Sequence, residues 1–288
     1  HNIVKLNGID ELSRSASNYS AIVLGSDQKW RPGASYSVID SMSFVPKNVR
    51  RISYATSLGV DYYPRIYWHS SNIMWRNIDY LSVREKVGAD IIKRVTGGIP
   101  VSVVLDPTYL ISKDDWYNIV PDKTIINNPY VLCYLLGDDK KSVDCAYRYA
   151  LSCGLELVII QSDESFSSLE QYGHIISDAT PECFINLIRH SEMLFTDSFH
   201  GLTFSVINNK QFFVFYRQRH DVRQSRNSRI DNILEEWGLT ERLILDTQID
   251  WNSINYSSIN YNVVNKKVSQ RREESLLFLK KALSVDED

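Results

Sequence analysis

The feature that most limits how this chain can fold is an alternation that runs twice. Short apolar runs of strand length are separated by stretches with helical spacing, over residues 21–107 and again over 130–238. In the first series "AIVLG" (21–25), "RISYA" (51–55), "YLSVRE" (80–85) and "VSVVLDP" (101–107) read as strands. Between them lies a helical pattern over 64–78, opened by Pro64. A second helix carries Val87, Ile91, Ile92 and Val95 on one face. The second series has strands at "YVLCYLLG" (130–137), "LELVII" (155–160), "EMLFTD" (192–197) and "QFFVFY" (211–216). Its helices end at Gly154, start at Thr180–Pro181, and follow "TDSFHG". A helix from 228 closed by Gly238 and an amphipathic one over 266–283 complete the pattern.

Strand–helix alternation predicts mostly parallel sheets, because a parallel pair needs a crossover and the crossover is usually a helix. The polar stretch 113–129 separates the two series. The expected fold is therefore α/β, with two Rossmann-like domains facing across a cleft. Residues 1–120 form the first, 121–265 the second, and 266–288 a C-terminal helix. A length of 288 residues suits two domains.

Composition excludes several function classes. The net charge of −3 gives no global attraction to nucleic acid or to acidic lipid, so any anion site must be local. The four cysteines form no CxxC pair and there is no histidine cluster at zinc spacing, so no metal is expected. No run reaches the ~18 apolar residues of a membrane span. With no signal-peptide pattern at the start, a cytoplasmic location is expected, with the inner face of the membrane as a place of work.

Right-handed crossovers bring the C-terminal ends of parallel strands to one edge, where open α/β sheets bind ligands. Polar groups cluster at those ends. In "TDSFHG" (196–201), Asp197 or Ser198 can cap the next helix, which places His200 and Gly201 in its first turn. The helix tip is then an anion site, Gly201 admits a ligand to the backbone, and His200 can donate a proton. Arg84, where "SVR" leaves the sheet, can grip a carboxylate or phosphate with its fork, or form an ordinary salt bridge with Glu85 or another nearby acid. Asp27 in "GSDQKW" can accept sugar hydroxyls with Trp30 as stacking platform, or shape a turn beside a core tryptophan. Asp106, before Pro107, reads as a turn-former. The stretch "RQRHDVRQSRNSR" (217–229) holds Arg217, Arg219, Arg223, Arg226 and Arg229, a solvated loop or a clamp for a polyanion such as a diphosphate.

Taken in order, "VLGSDQKW", "ISYATSLG", "LSVREKVGADII", "VLDPTYL", "TDSFHGLTFSVINNKQFFVF" and "SRIDNILEEWGL" resemble the polysaccharide pyruvyl transferase family over roughly residues 20 to 242. The resemblance implies a GT-B-like fold and a phosphoenolpyruvate donor. That donor's enolpyruvyl unit would become a pyruvate ketal on sugar hydroxyls of a cell-surface polysaccharide or its precursor. It implies no cofactor, and it implies that the arginine of "SVRE" and the histidine of "SFHG", here Arg84 and His200, hold the donor. Family members carry a further strand and a glycine-rich loop before the segment matching "GSDQ", so a first domain incomplete at its start is expected.

On this reading His200 acts as general acid or steers phosphate. Asp197 orients it or activates the acceptor hydroxyl. Ser198 and Gly201 meet the anion, and Asp27 and Trp30 meet the acceptor. Arg217 through Arg229 meet a lipid-linked or nucleotide-linked sugar. The alternatives are a nucleotide-sugar glycosyltransferase of the same fold, or a sugar-binding relative without turnover.

Overall fold

The computed structural model describes residues 8–33, 37–137, 139–161, 169–217 and 227–284. The chain divides into two compact units. One comprises His1–Leu110, Arg223–Asn232 and Ser269–Asp288; the other comprises Ile111–Val222 and Ile233–Val268.

The first unit opens with helix α1 (Ile9–Ala16), then strands β1 (Ala21–Leu24) and β2 (Arg50–Ser53), which pair in parallel with Ala21 opposite Arg50. Helix α2 (Trp68–Arg76) leads to β3 (Ser82–Val83), α3 (Lys86–Thr96) leads to β4 (Ser102–Val103), and β3 and β4 pair in parallel. Between β2 and β3 a backbone bridge and two serine hydroxyls take the place of a regular ladder. The Ser53 amide donates to the Tyr80 carbonyl at 2.9 Å, and the Ser82 amide donates to Ser53 Oγ at 2.9 Å. Ser82 Oγ returns a bond to the Ser53 carbonyl at 2.7 Å. Both serines are buried, so these hydroxyls satisfy backbone groups that would otherwise be costly to leave unpaired.

The core of this unit gathers Trp30, Met42, Leu58, Trp75, Val83 and Ile92. Helix α3 buries Ile91 and Ile92 and half-buries Val87 and Val95, the face its spacing predicts. It stops where Gly97 takes a left-handed conformation, φ 74°.

The second unit begins with α4 (Lys113–Ile119), a short helix inside the stretch expected to be a linker. Ser112 caps it by accepting from the Asp115 amide at 3.1 Å, and Trp116 packs edge-on against Phe204 at 5.1 Å. Arg189 fastens it further, donating to the carbonyls of Trp116 and Val120. Its polar composition hides the two aromatic anchors, Trp116 against Phe204 and Tyr117 under the Arg189 guanidinium, that make it part of a domain.

Then follow β5 (Tyr130–Leu135), α5 (Lys140–Cys153), β6 (Glu156–Gln161), β7 (His174–Ile176), α6 (Pro181–His190), β8 (Met193–Thr196), α7 (Phe199–Asn208), β9 (Phe212–Phe215), α8 (Ser228–Trp237), β10 (Leu243–Ile244) and α9 (Tyr261–Leu283). The division between the units falls within α8, after Asn232, and within α9, after Val268. A boundary drawn linearly near residue 120, with a separate C-terminal helix, does not express these returns. Arg271 and Ser275 of α9 bond the Val103 carbonyl and the Leu105 amide of the first unit.

Strands β5 to β10 form one parallel sheet in the order β10-β9-β8-β5-β6-β7. From β5 the chain moves outward through β6 and β7, then returns to the other side of β5 for β8, β9 and β10. The switch point lies between β5 and β8. At such a point the connections diverge and leave a crevice outside the strands' C-terminal ends, where ligands settle. The expected α/β class with two Rossmann-like units and parallel strands is the class observed. Among the described residues no helix is long and apolar enough to cross a membrane.

Candidate functional site

In the first unit, the C-terminal ends of all four strands are joined by one polar network. Arg84, just past β3, is buried, with its side chain 2% exposed. Its Nε donates to Glu85 Oε1 at 3.1 Å, and its Nη1 donates to Asp106 Oδ2 at 2.7 Å and Ser26 Oγ at 3.1 Å. Ser57 Oγ donates to Glu85 Oε1 at 2.5 Å, and Ser26 Oγ donates to Asp106 Oδ2 at 2.8 Å. Asp106 Oδ1 accepts from the Thr108 amide and hydroxyl. Burial works against the charge of Arg84, but Glu85 and Asp106 outweigh it and hold the guanidinium above its ordinary value. Burial pushes the Glu85 carboxyl up, while Arg84 and Ser57 pull it the other way.

The salt-bridge alternative set out for Arg84 is therefore what the structure contains. Its Nε and Nη1 hold the strand ends together. Asp106 forms the turn expected of it and is also a partner of the arginine, which a reading of "LDPT" alone could not supply.

Asp27 sits after β1 with φ 101°, a backbone conformation that L-residues avoid. Its carbonyl accepts from the amides of Lys29 and Ser57, both at 2.8 Å. Its side chain is exposed and has no hydrogen bond or ion pair among the described residues, so it does not cap this turn. Trp30 corrects the sequence reading. It is 2% exposed, packs edge-on against Trp75 at 6.1 Å and donates its ring N–H to the Asp40 carbonyl at 3.0 Å. It is a core residue and offers no face to a sugar.

Arg229 belongs to the first unit, although its neighbours in the arginine-rich stretch precede it by up to twelve positions. With the Gln28 amide turned so that its oxygen faces Arg229, that oxygen accepts from Nη2 at 3.1 Å and Nε at 3.2 Å. The charge of Arg229 also acts on Glu85. Arg219, Arg223 and Arg226 lie outside the described residues.

In the second unit, the site forms at the switch point. Ser198 is the N-cap of α7 and its Oγ accepts from the Gly201 amide at 3.3 Å. Thr196 Oγ1 donates to the Tyr134 carbonyl at 2.6 Å and accepts from the Ser198 amide at 3.0 Å, so it ties β5 to β8 and sets the cap. Gly201 corrects its expected role. A Cβ there would lie 2.5 Å from Thr196 Oγ1, so the missing side chain makes room for Thr196 within the fold and not for a ligand. His200 is exposed on the first turn of α7, edge-on to Phe199 at 5.4 Å.

Asp197 is corrected in one of its two expected roles, that of activating the acceptor hydroxyl. It is 6% exposed, and its two oxygens accept from the amides of Leu136 at 2.7 Å and Gly137 at 2.9 Å. Burial pushes this carboxyl up, while those amides and Arg217 pull it back. A carboxylate engaged in this way is not a base offered to a substrate.

Arg217, after β9, places Nε 3.4 Å from Asp197 Oδ2. That is an ion pair in which Nε makes no well-aligned hydrogen bond. The terminal nitrogens of Arg217 have no partner among the described residues, and the side chain is 21% exposed. A guanidinium fork held by one carboxylate at its inner nitrogen has the geometry to pair with an anion at its outer ones. By contrast, Arg148, which lines a surface hollow of about 660 Å³ beside residues 248–252, is occupied by Asp144 and the Thr247 and Ile249 carbonyls.

Sequence reasoning missed two residues here. Tyr134, on β5, has a phenol raised by burial and by Asp197, with Arg217 and Ser198 acting in the opposite sense. Gly137 has no room for a side chain, since a Cβ would lie 2.9 Å from Asp197 Oδ2. A glycine directly after the strand "YVLCYLL" was the available signal. Among the described residues no group of acids, histidines and cysteines could hold a metal ion.

Comparison with known proteins agrees with the sequence motifs. The family described as polysaccharide pyruvyl transferase matches residues 2–219. None of the curated proteins matches. Among solved structures, the chain is similar to the UDP-GlcNAc 2-epimerase of Methanocaldococcus jannaschii, at 12% identity and a TM-score of 0.55, over 94% of this chain and 80% of that one. It is also similar to the UDP-GlcNAc 2-epimerase of Neisseria meningitidis bound to UDP-GlcNAc, at 10% identity and a TM-score of 0.53, over 96% and 75%. At such identities the likeness is one of fold, the GT-B-like class.

Proposed function

Because the chain belongs to the polysaccharide pyruvyl transferase family, we propose that it moves the enolpyruvyl group of phosphoenolpyruvate onto two hydroxyls of a sugar, giving a cyclic pyruvate ketal. The observation that carries the reading is the pairing of Arg217, whose terminal nitrogens have no partner among the described residues, with the capped start of α7 at the same switch point. A small dianion suits that arrangement. The helix tip favours negative charge, and the guanidinium matches a phosphate or carboxylate in two-point fashion.

The chemistry proceeds by charge development at C2 of the donor. A proton added to the methylene carbon C3 leaves an oxocarbenium-like centre at C2. The first sugar oxygen attacks C2 and loses its proton. The C2–O bond to phosphate then breaks, with the electron pair leaving on phosphate. The second sugar oxygen closes the ring at C2 and loses its own proton, so the products are a ketal and inorganic phosphate. His200, exposed at the helix tip, is the proposed proton donor or phosphate guide, as histidine suits proton transfer near neutral pH. Cationic groups and backbone dipoles stabilise the departing phosphate, and the proposal needs no cofactor.

The resemblance also gives Arg84 a part in holding the donor, but its side chain is buried and engaged within the first unit, so the proposal rests on Arg217, His200 and the tip of α7. Arg84→Lys retains charge but loses the fork that Glu85, Asp106 and Ser26 engage. The acceptor is a sugar of a polysaccharide or its precursor. The test is phosphate release from phosphoenolpyruvate in the presence of candidate saccharides, with mass spectrometry for the ketal. His200→Ala is expected to lower turnover by about 10²–10⁴-fold. Turnover within a few-fold of wild type would remove His200 from the reaction, and a sugar nucleotide consumed in place of phosphoenolpyruvate would replace the reading with glycosyl transfer.

A further inference from the structure

Asp197 follows β8, yet its carboxylate reaches the ends of both neighbouring strands. Toward β5, Oδ1 accepts from the Leu136 amide and Oδ2 from the Gly137 amide. Toward β9, Oδ2 faces Arg217 Nε at 3.4 Å. Its own side chain is 4% exposed, so it lies beneath the surface that a substrate would touch. Gly137 is fitted to the same point. A Cβ there would lie 2.9 Å from Asp197 Oδ2 and 3.1 Å from Arg217 Cγ. Three strand ends thus meet on one carboxylate.

An asparagine could not replace this group. It offers one acceptor oxygen, and its NH₂ would point at either a backbone N–H or a guanidinium, both donors. The negative charge that holds Arg217 by its inner nitrogen would also be gone.

Resting on the donor-binding reading above, we propose that Asp197 is a positioning residue: it fixes the Arg217 guanidinium at the switch point so that its outer nitrogens meet the phosphate of the donor. Asp197 acts on the reaction only through Arg217, and Gly137 exists to let the two approach.

The full chain is titrated with phosphoenolpyruvate by calorimetry, as wild type, Asp197→Asn, Arg217→Gln and the double variant. Arg217→Gln is expected to weaken binding by about 10–100-fold, the worth of a charge-assisted contact. Asp197→Asn should weaken it by a similar factor, and the double variant should bind no more weakly than Arg217→Gln alone. Losses that multiply in the double variant would overturn the inference, as would wild-type affinity in Asp197→Asn. If Asp197→Asn does not fold, Gly137→Ala serves, since it presses on both side chains and keeps both charges. Weakened binding that is non-additive with Arg217→Gln supports the inference, and unchanged affinity overturns it. A wild-type chain that does not bind phosphoenolpyruvate overturns the donor reading itself, and the inference falls with it, an outcome separate from normal binding that ignores Asp197.

Discussion

Thr196 Oγ1 occupies the place where a side chain on residue 201 would have to go: a Cβ on Gly201 would come within 2.5 Å of it. Thr196 cannot withdraw without giving up its bond to the Tyr134 carbonyl. Gly201→Ala should therefore act as an overpacking change and cost about 1–3 kcal/mol in urea unfolding. Pairing it with Thr196→Ser removes the crowding methyl and keeps the hydroxyl, but leaves the 2.5 Å clash with oxygen, so little rescue is expected. A neutral Gly201→Ala would show that α7 can shift away from β8.

The two arginines differ in a way that stability measurements can read. Arg84 is buried between Glu85 and Asp106, so Arg84→Met strands two carboxylates and should cost about 3–5 kcal/mol. Arg217 is partly exposed with one long ion pair, and Arg217→Gln should cost no more than about 1 kcal/mol. Chemical denaturation of the two variants checks this. Equal losses would contradict the distinction between a strut and a ligand-facing fork.

Asp27 holds φ 101° without using its carboxylate locally. Glycine adopts such a conformation freely, so Asp27→Gly should stabilise the fold by about 1 kcal/mol. The same variant should lower transfer to the sugar if the carboxylate meets the acceptor, the role expected of it from the sequence. A thermal melt and a turnover assay separate the effects, and a destabilised Asp27→Gly would mean the side chain supports the turn after all.

Burial pushes the Cys145 thiol up to about 11, and pushes Cys133 up too, while Cys153 is exposed. An acid whose pKa is raised stays protonated until pH approaches the raised value, and the thiolate is the reactive form. At pH 8 a disulfide reagent should modify Cys153 quickly and leave Cys133 and Cys145 untouched until the chain is unfolded. Peptide mapping after brief labelling provides the check.

Much of this architecture could be read from local sequence. The Thr180–Pro181 helix start, the Gly154 stop and the apolar face of α3 are set by residues within a turn or two of each other, and all are found. Elements whose stability comes from elsewhere were not legible. Helix α4 depends on Trp116 against Phe204 and on Arg189, and the two-residue β10 depends on β9. At the site, Ser198 as cap follows from residue type, but the burial of Trp30 and the fit of Gly201 to Thr196 are facts of packing. The assignment of Arg217 and Arg229 to different units is decided by tertiary structure, which a contiguous basic stretch conceals.

The central claim is that the C-terminal edge of the second unit receives phosphoenolpyruvate at Arg217 and the tip of α7. Its most direct test is ligand binding to the full chain by ¹H and ³¹P NMR, with phosphoenolpyruvate and UDP-N-acetylglucosamine in competition. The account predicts that phosphoenolpyruvate binds, that the sugar nucleotide does not displace it, and that Arg217→Gln and His200→Ala each weaken it. Preferential binding of the sugar nucleotide, or phosphoenolpyruvate binding indifferent to both substitutions, would contradict it.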